Sequence, residues 1–136
     1  MRITTKGRYA LRAITQLAKS YSGQPISIKE LSKTEDISPE FLEQIFFKLR
    51  KAGIISSTRG PGGGFSLQKD PKEISINDLF NAVGEGVELT PCSGDEACGR
   101  SEDCLTHDLW QGATAHFQEY FSGITVDDVL NKRVTV

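Results

Sequence analysis

Two short β-prone runs, Ile54-Ile55-Ser56-Ser57-Thr58 and Phe65-Ser66-Leu67, flank the segment Arg59-Gly60-Pro61-Gly62-Gly63-Gly64. A Gly/Pro run of this kind continues neither a helix nor a long strand. The regular solution is therefore a strand, a loop and a returning strand. What precedes the hairpin decides what it is. Ser38 is a good N-cap, and Pro39 stands at the first helical position, where its missing N–H does no harm. Leu42, Ile45, Phe46 and Leu49 then recur on one helical face, and Gly53 stops the helix as a left-handed residue. Upstream, Ser27-Ile28-Lys29-Glu30 reads as a capping box opening a short helix through Lys33, and Ile37 ends the connecting turn. Two helices joined by such a turn form a helix-turn-helix, and a hairpin placed directly after it is a wing.

The flanking segments are helical. Residues 4–21 carry Tyr9, Ala10, Ala13, Ile14, Leu17, Ala18 and Tyr21 at the spacing of one buried stripe. Ser75-Ile76-Asn77-Asp78 opens another helix, with Ile76, Leu79, Phe80 and Val83 inward. Residues 84–104 are rich in glycine, acids and cysteine and read as a loop, long enough to need a function or a metal to order it. A long helix begins near Thr106, with Leu105, Leu109, Ala113, Phe117 and Phe121 four residues apart. Gly123 ends it, and Ile124 to Leu130 form a last short helix. The expected fold is mainly α: a winged helix-turn-helix with a β-hairpin wing, a metal-binding loop and a long dimerisation helix. The expected organisation is a DNA-binding domain over 1–83, a cluster-binding loop over 84–107, and a dimerisation and C-terminal helix over 108–136.

Charge agrees with that division. The net charge of −2 hides a basic first half, since residues 1–69 hold 12 Lys and Arg against 5 Asp and Glu, whereas residues 70–136 hold 4 against 13. Such asymmetry fits a nucleic-acid binder joined to a separate regulatory region. No stretch is long and apolar enough to span a membrane, and the start MRITTKGRYALRAI lacks the apolar core of a secretory signal, so a cytoplasmic location is expected.

In a helix-turn-helix the first residues of the second helix meet base edges in the major groove. Gln44 suits adenine, and Glu40 or Glu43 accepts from the cytosine amino group. Lys48 and Lys51 lie further along, where phosphates run. Arg59 enters the tip of the wing, and arginine reads a narrow, electronegative minor groove. The candidate DNA contacts are Arg2, Lys6, Ser38, Glu40, Glu43, Gln44, Lys48, Arg50, Lys51, Arg59, Gly60 and Gly62. The glycine run lacks the Gly-Lys-Ser/Thr ending of a Walker loop and does not enter a helix, so it does not read as a Walker-type phosphate site.

All three cysteines fall between 92 and 104, and with one histidine they read Cys92-x5-Cys98-x5-Cys104-x2-His107. An odd number of clustered cysteines argues against a disulfide framework. Thiolates with an imidazole suit zinc and iron–sulfur groups alike. The long spacers argue against the tight knuckles of structural zinc. His116 reads as an ordinary helix residue. Without an orienting third group, a Cys/His hydrolase is not expected, and the chain does not read as an enzyme.

Taken together, Met1-Arg2-Ile3-Thr4, Lys6-Gly7-Arg8-Tyr9-Ala10, Leu42-Glu43-Gln44, Leu49-Arg50-Lys51, Arg59–Gly64 and Cys104-Leu105-Thr106-His107 resemble the IscR-type iron–sulfur regulators. These belong to a winged-helix family that includes NsrR and RirA. The resemblance covers nearly the whole chain. It implies a homodimeric repressor or activator on an approximately palindromic double-stranded operator. It further implies a [2Fe–2S] cluster held by Cys92, Cys98, Cys104 and His107, and DNA contacts including Ser38, Glu40, Gln44 and Arg59. The same likeness makes Glu43 a selectivity gate. The NsrR pattern calls for an acidic residue near position 8. This chain has Arg8 and Arg12 there, which favours the IscR-like reading. The rival readings are a zinc-stabilised DNA binder without sensing and an iron–sulfur electron-transfer protein, which leaves the wing and the basic half unexplained.

Overall fold

In the computed structural model, residues 3–93 and 98–136 are described, so Arg2 lies outside the described residues. The chain forms α1 (Thr5–Lys19), α2 (Ile28–Glu35), α3 (Pro39–Lys51), β1 (Ile55–Thr58), β2 (Gly64–Leu67), α4 (Ile76–Ala82), α5 (His107–Ser122) and α6 (Val126–Leu130), with short 3-10 turns at Pro71–Glu73 and Pro91–Ser93. This is the expected mainly helical winged helix-turn-helix.

Apolar spacing accounts for the core. Ala10, Ala13, Ile14 and Leu17 of α1 meet Leu42, Ile45, Phe46 and Leu49 of α3, with Ile55 and Leu67 of the wing and Leu79 and Val83 of α4 closing the cluster. Each large side chain removed from water contributes roughly 1.5–3 kcal/mol. Phe46 meets Phe65 edge-on at 4.9 Å, which locks the base of the wing onto α3. The turn between α2 and α3 is built on Asp36 at φ 54°, a left-handed position that aspartate tolerates. Ser27 caps α2 by accepting from the Glu30 N–H at 3.1 Å, but the returning half of the expected capping box does not form. Glu30 is exposed, and its carboxylate stays in water.

The wing pairs Ile55 with Leu67, Ser56 with Ser66, Ser57 with Phe65 and Thr58 with Gly64. A single antiparallel bridge joins Phe65 to Ile26 through bonds of 2.9 and 2.7 Å, which ties the segment before α2 to the edge of the wing. Gly64 is required there, because a Cβ would fall 2.4 Å from the Ile26 carbonyl carbon.

The end of the chain returns to this core. Val126 is fully buried, and the Ile76 N–H donates to Ile124 O while the Val126 N–H donates to Ile74 O, both at 2.9 Å. Among the described residues no helix is long and apolar enough to cross a membrane.

Candidate nucleic-acid interface and thiol–imidazole loop

With Leu42, Ile45, Phe46 and Leu49 turned inward, α3 presents Glu40, Glu43, Gln44, Phe47, Lys48 and Lys51 to solvent. Ser38 caps the helix, accepting from the Phe41 N–H at 3.2 Å, and its own hydroxyl proton remains free to donate. Phe41 in turn meets Tyr9 of α1 edge-on at 5.6 Å, which sets α3 against α1. Between the two helices lies an open groove of about 580 Å³ lined by Lys6, Glu40, Phe41, Glu43, Gln44, Ile45, Phe47 and Lys48. Five expected contact residues (Lys6, Glu40, Glu43, Gln44 and Lys48) therefore share one groove. Phe47 was not among the sequence candidates. The apolar stripe was the available signal, since Phe47 falls outside it, three residues after Gln44.

Arg59 is exposed at the wing, and Gly60 and Gly62 take φ of 92° and 74° with open space around them. Arg50 is engaged within the fold: its guanidinium donates to the Ser57 hydroxyl of β1 at 3.2 Å. Arg12 sits over the Tyr9 ring at 5.2 Å and pairs with Glu35 at 3.6 Å.

A residue missed by sequence reading joins α1 to the segment after α4. Glu85 is buried, accepts from the Thr4 N–H at 2.9 Å, and accepts from the Thr4 hydroxyl. It thereby satisfies one of the free donors at the start of α1 and lies favourably at the positive end of the helix dipole. Next to it, the Lys6 ammonium donates to Gly84 O at 3.4 Å.

The cysteines and His107 are each held by local turns. Cys92 lies in the Pro91–Ser93 turn, with its sulfur 3.2 Å from the Thr90 hydroxyl. Helix α5 grips this turn twice: Gln111 Nε2 donates to Cys92 O at 2.8 Å, and Leu89 N–H donates to the Thr114 hydroxyl at 3.4 Å. The Cys98 carbonyl accepts from the Ser101 N–H at 3.2 Å. The Cys104 carbonyl accepts from the His107 N–H at 3.3 Å, and the Cys104 thiol lies 3.3 Å from the Thr106 hydroxyl. The Thr106 hydroxyl and N–H hold the Cys104 thiol below its ordinary range, with the His107 N–H and Arg100 adding to the effect against a smaller desolvation penalty. That favours the thiolate, the form that binds metals.

His107 Nδ1 is buried, with no hydrogen-bond partner among the described residues. A buried polar atom left unmatched costs about 1–3 kcal/mol and calls for an explanation such as a ligand or ion. All three cysteines are free thiols. Among the described residues no three His, Cys, Asp or Glu side chains are gathered as a metal cage. Residues 94–97, between Cys92 and Cys98, lie outside the description. The donor set itself, three thiols and an imidazole nitrogen left open, fits an iron–sulfur group.

Helix α5 exposes Leu109, Trp110, Phe117 and Tyr120, and Leu105 just before it is fully exposed. Phe121 of the same helix turns back towards α4, edge-on to Phe80 at 5.3 Å. His116 is exposed.

Residues 3–132 match the family model of Rrf2, described as an iron-dependent transcriptional regulator. The HTH-type transcriptional regulator IscR of Pectobacterium atrosepticum is 39% identical over 133 residues, covering 98% of this chain and 81% of that protein. IscR of Escherichia coli O1:K1 / APEC is 38% identical over 133 residues, with 98% and 82% covered. Among solved structures, T. potens IscR superposes with a TM-score of 0.79 at 28% identity, covering 98% of this chain and 89% of that one. CymR, the global cysteine regulator of B. subtilis, superposes with a TM-score of 0.80 at 30% identity, covering 97% and 98%.

Proposed function

The chain belongs to the Rrf2 family of transcriptional regulators, a non-enzymatic class, and from that premise we propose that its operator binding responds to a [2Fe–2S] cluster held in the loop before α5. Cys92, Cys98 and Cys104 would hold the group as thiolates and His107 through its imidazole. The observation that carries this reading is the buried, unpartnered His107 Nδ1 beside turns that present free thiols. Such a group supplies a charge and an occupancy that change with redox conditions and iron supply. The residues of the chain do the rest. Thr106 favours the Cys104 thiolate. Gln111 and Thr114 hold residues 89–92 against α5. Glu85 and Gly84 tie the other end of this segment to α1 and Lys6.

The DNA-binding reading rests on the groove between α1 and α3, where Lys6, Glu40, Glu43, Gln44 and Lys48 come together, with Arg59 on the wing. Ser38, Lys51, Gly60 and Gly62 complete the contacts available on that face. The uncovered row Leu109, Trp110, Phe117 and Tyr120 supports a homodimer through α5. A two-fold dimer sets two α3 helices about one DNA turn apart and demands an approximately palindromic operator. The protein acts in the cytoplasm on this reading.

The test is anaerobic purification with iron, sulfide and zinc analysis, visible spectra, and sedimentation. Wild type should be coloured and dimeric, with equal iron and sulfide. Alanine at Cys92, Cys98 or Cys104 should abolish colour, and His107→Ala should weaken it, each in a folded dimer. A colourless zinc-loaded wild type, or four variants with unchanged iron and sulfide, sinks the cluster assignment.

A further inference from the structure

Phe47 is 67% exposed on a helix whose other apolar residues are turned inward. Leaving a phenylalanine largely in water forfeits most of the stabilisation its burial would give. The remaining large apolar side chains with comparable exposure, among the described residues, lie on or beside α5, at Tyr21, or at the end of the chain. Phe47 stands apart from all of them, in the groove with Lys6 and Lys48. It lies three residues after Gln44 and four after Glu43, so it shares their helical face. Three residues of helix advance about 4.5 Å, slightly more than the base-pair rise of about 3.4 Å.

The groove therefore offers an occupant two cations, two acidic side chains, one amide and an apolar wall of Phe41, Ile45 and Phe47, of which the Phe47 ring alone is largely bare. Lysines at its edge match phosphates. Glu43 and Gln44 match exocyclic amino groups. The aromatic ring matches neither, and the apolar feature of a base edge in the major groove is the C5 methyl of thymine. Resting on the DNA-binding reading above, we propose that Phe47 is a specificity-determining residue that packs on a thymine methyl about one base step from the contact of Gln44. A second copy of the chain is the other candidate cover for the ring. The charged surround, with Lys6, Lys48, Glu40 and Glu43 lining the same groove as the ring, fits a polyanion better than it fits an apolar helix face.

The experiment starts by selecting duplexes from a random pool with the anaerobically prepared 136-residue protein. Each thymine of the selected operator is then replaced by deoxyuridine, which removes the methyl and nothing else. Affinity is measured by fluorescence anisotropy at fixed salt, because the phosphate contribution varies steeply with salt. Wild type should lose about fourfold in affinity at one thymine per half-site, the loss expected for one buried methyl. Phe47→Ala should bind the thymine operator more weakly and show no further loss with deoxyuridine at that position. Phe47→Leu should keep part of the discrimination. Thermal midpoints should match wild type, since the ring is exposed. Equal deoxyuridine losses in wild type and Phe47→Ala at every position overturn the assignment. So does a change of oligomeric state in Phe47→Ala, which would show the ring covered by a second copy. If no duplex is enriched, the DNA-binding reading itself falls and this proposal with it.

Discussion

Glu85 and Gly7 make a contact whose energetics change sign in a double-mutant cycle. Glu85 is 4% exposed, and its carboxylate accepts both the Thr4 N–H and the Thr4 hydroxyl. Hydrogen bonds to a charged group contribute about 1.5–3 kcal/mol each, and two to one carboxylate fall short of additive. Glu85→Ala should therefore cost about 3 kcal/mol, or about 10 °C in thermal midpoint for a chain of this size. Gly7 lies in α1 directly under that side chain, where an added Cβ would stand 2.9 Å from Glu85 Cγ and 3.0 Å from its Cδ. Alanine in a helix is favoured over glycine by about 1 kcal/mol. In the wild type that gain is outweighed, because the Cβ displaces the carboxylate from Thr4, and Gly7→Ala should destabilise by about 1–2 kcal/mol. With Glu85→Ala in place the obstruction is gone, and Gly7→Ala should stabilise by about 1 kcal/mol. Urea unfolding of the four proteins, followed by circular dichroism, measures a coupling of about 2–3 kcal/mol. An equal cost of Gly7→Ala with and without Glu85 would refute the reasoning.

Other consequences are equally specific. Gln44→Ala should relax preference at one defined base pair by about 1–3 kcal/mol, whereas Arg59→Ala should weaken binding without relaxing that base pair. Binding curves on operator and scrambled duplexes separate the two, and equal losses on both duplexes for Gln44→Ala remove its reading role. On the proposed docking Glu43 would carry an acid in among phosphates, so Glu43→Ala should let cluster-free protein bind operators that otherwise require the loaded form. A uniform shift across a panel of operators in both states would count against that gate. Asp128 caps α6, and its carboxyl is held below the ordinary carboxylate range by the Thr125 N–H first, then the Thr125 hydroxyl, with Arg133 adding to it. A depressed folded-state value stabilises above the ordinary pKa of about 4 and loses that effect as pH falls through the lower folded value. The gap in thermal midpoint between wild type and Asp128→Asn should hold from pH 7 to pH 5 and close towards pH 3. A gap that persists unchanged at pH 3 contradicts it.

Local chemistry was legible in the sequence, and long-range chemistry was not. Ser38 and Pro39 start α3 where cap rules place them, and Gly53 ends it at φ 76°. The wing register follows from two β-prone runs around a Gly/Pro turn. The glycines of that turn look alike in sequence, and the structure divides them. Gly60 and Gly62 have open surroundings, whereas Gly63 and Gly64 are needed internally, since Cβ atoms there would meet Thr58 O at 2.2 Å and Ile26 C at 2.4 Å. The contact to Ile26 crosses some forty residues of chain, which no periodicity reports. Glu85 escaped for the same reason: 81 residues separate it from Thr4, and one more acid in an acidic half carries no mark of burial. Phe47 was hidden differently. Aromatic residues are assigned to the core by default, and only the packed face of α3 shows that this one is outside.

Glu85 lies at the join between the two regions the sequence separates. The segment before the cysteines begins at Gly84 and Glu85, and both reach the first turn of α1, one through Lys6 and the other through Thr4. Lys6 also lines the groove in front of Gln44 and Phe47. Gly84, at the base of the cysteine loop, lies beside both the Lys6 ammonium of α1 and the Lys48 ammonium of α3. A ligand of the loop shifts that face only by the difference in its affinity for the two arrangements. Such a difference needs a contact that is made in one arrangement and strained in the other. The Glu85–Thr4 pair, buried and pressed against Gly7, is where a displacement of the loop base would be felt at α1. The stability cycle at Gly7 and Glu85 therefore has a functional counterpart. Glu85→Ala should reduce the difference in DNA affinity between cluster-loaded and cluster-free protein, while Ser38→Ala, which loosens α3 alone, should lower both affinities together.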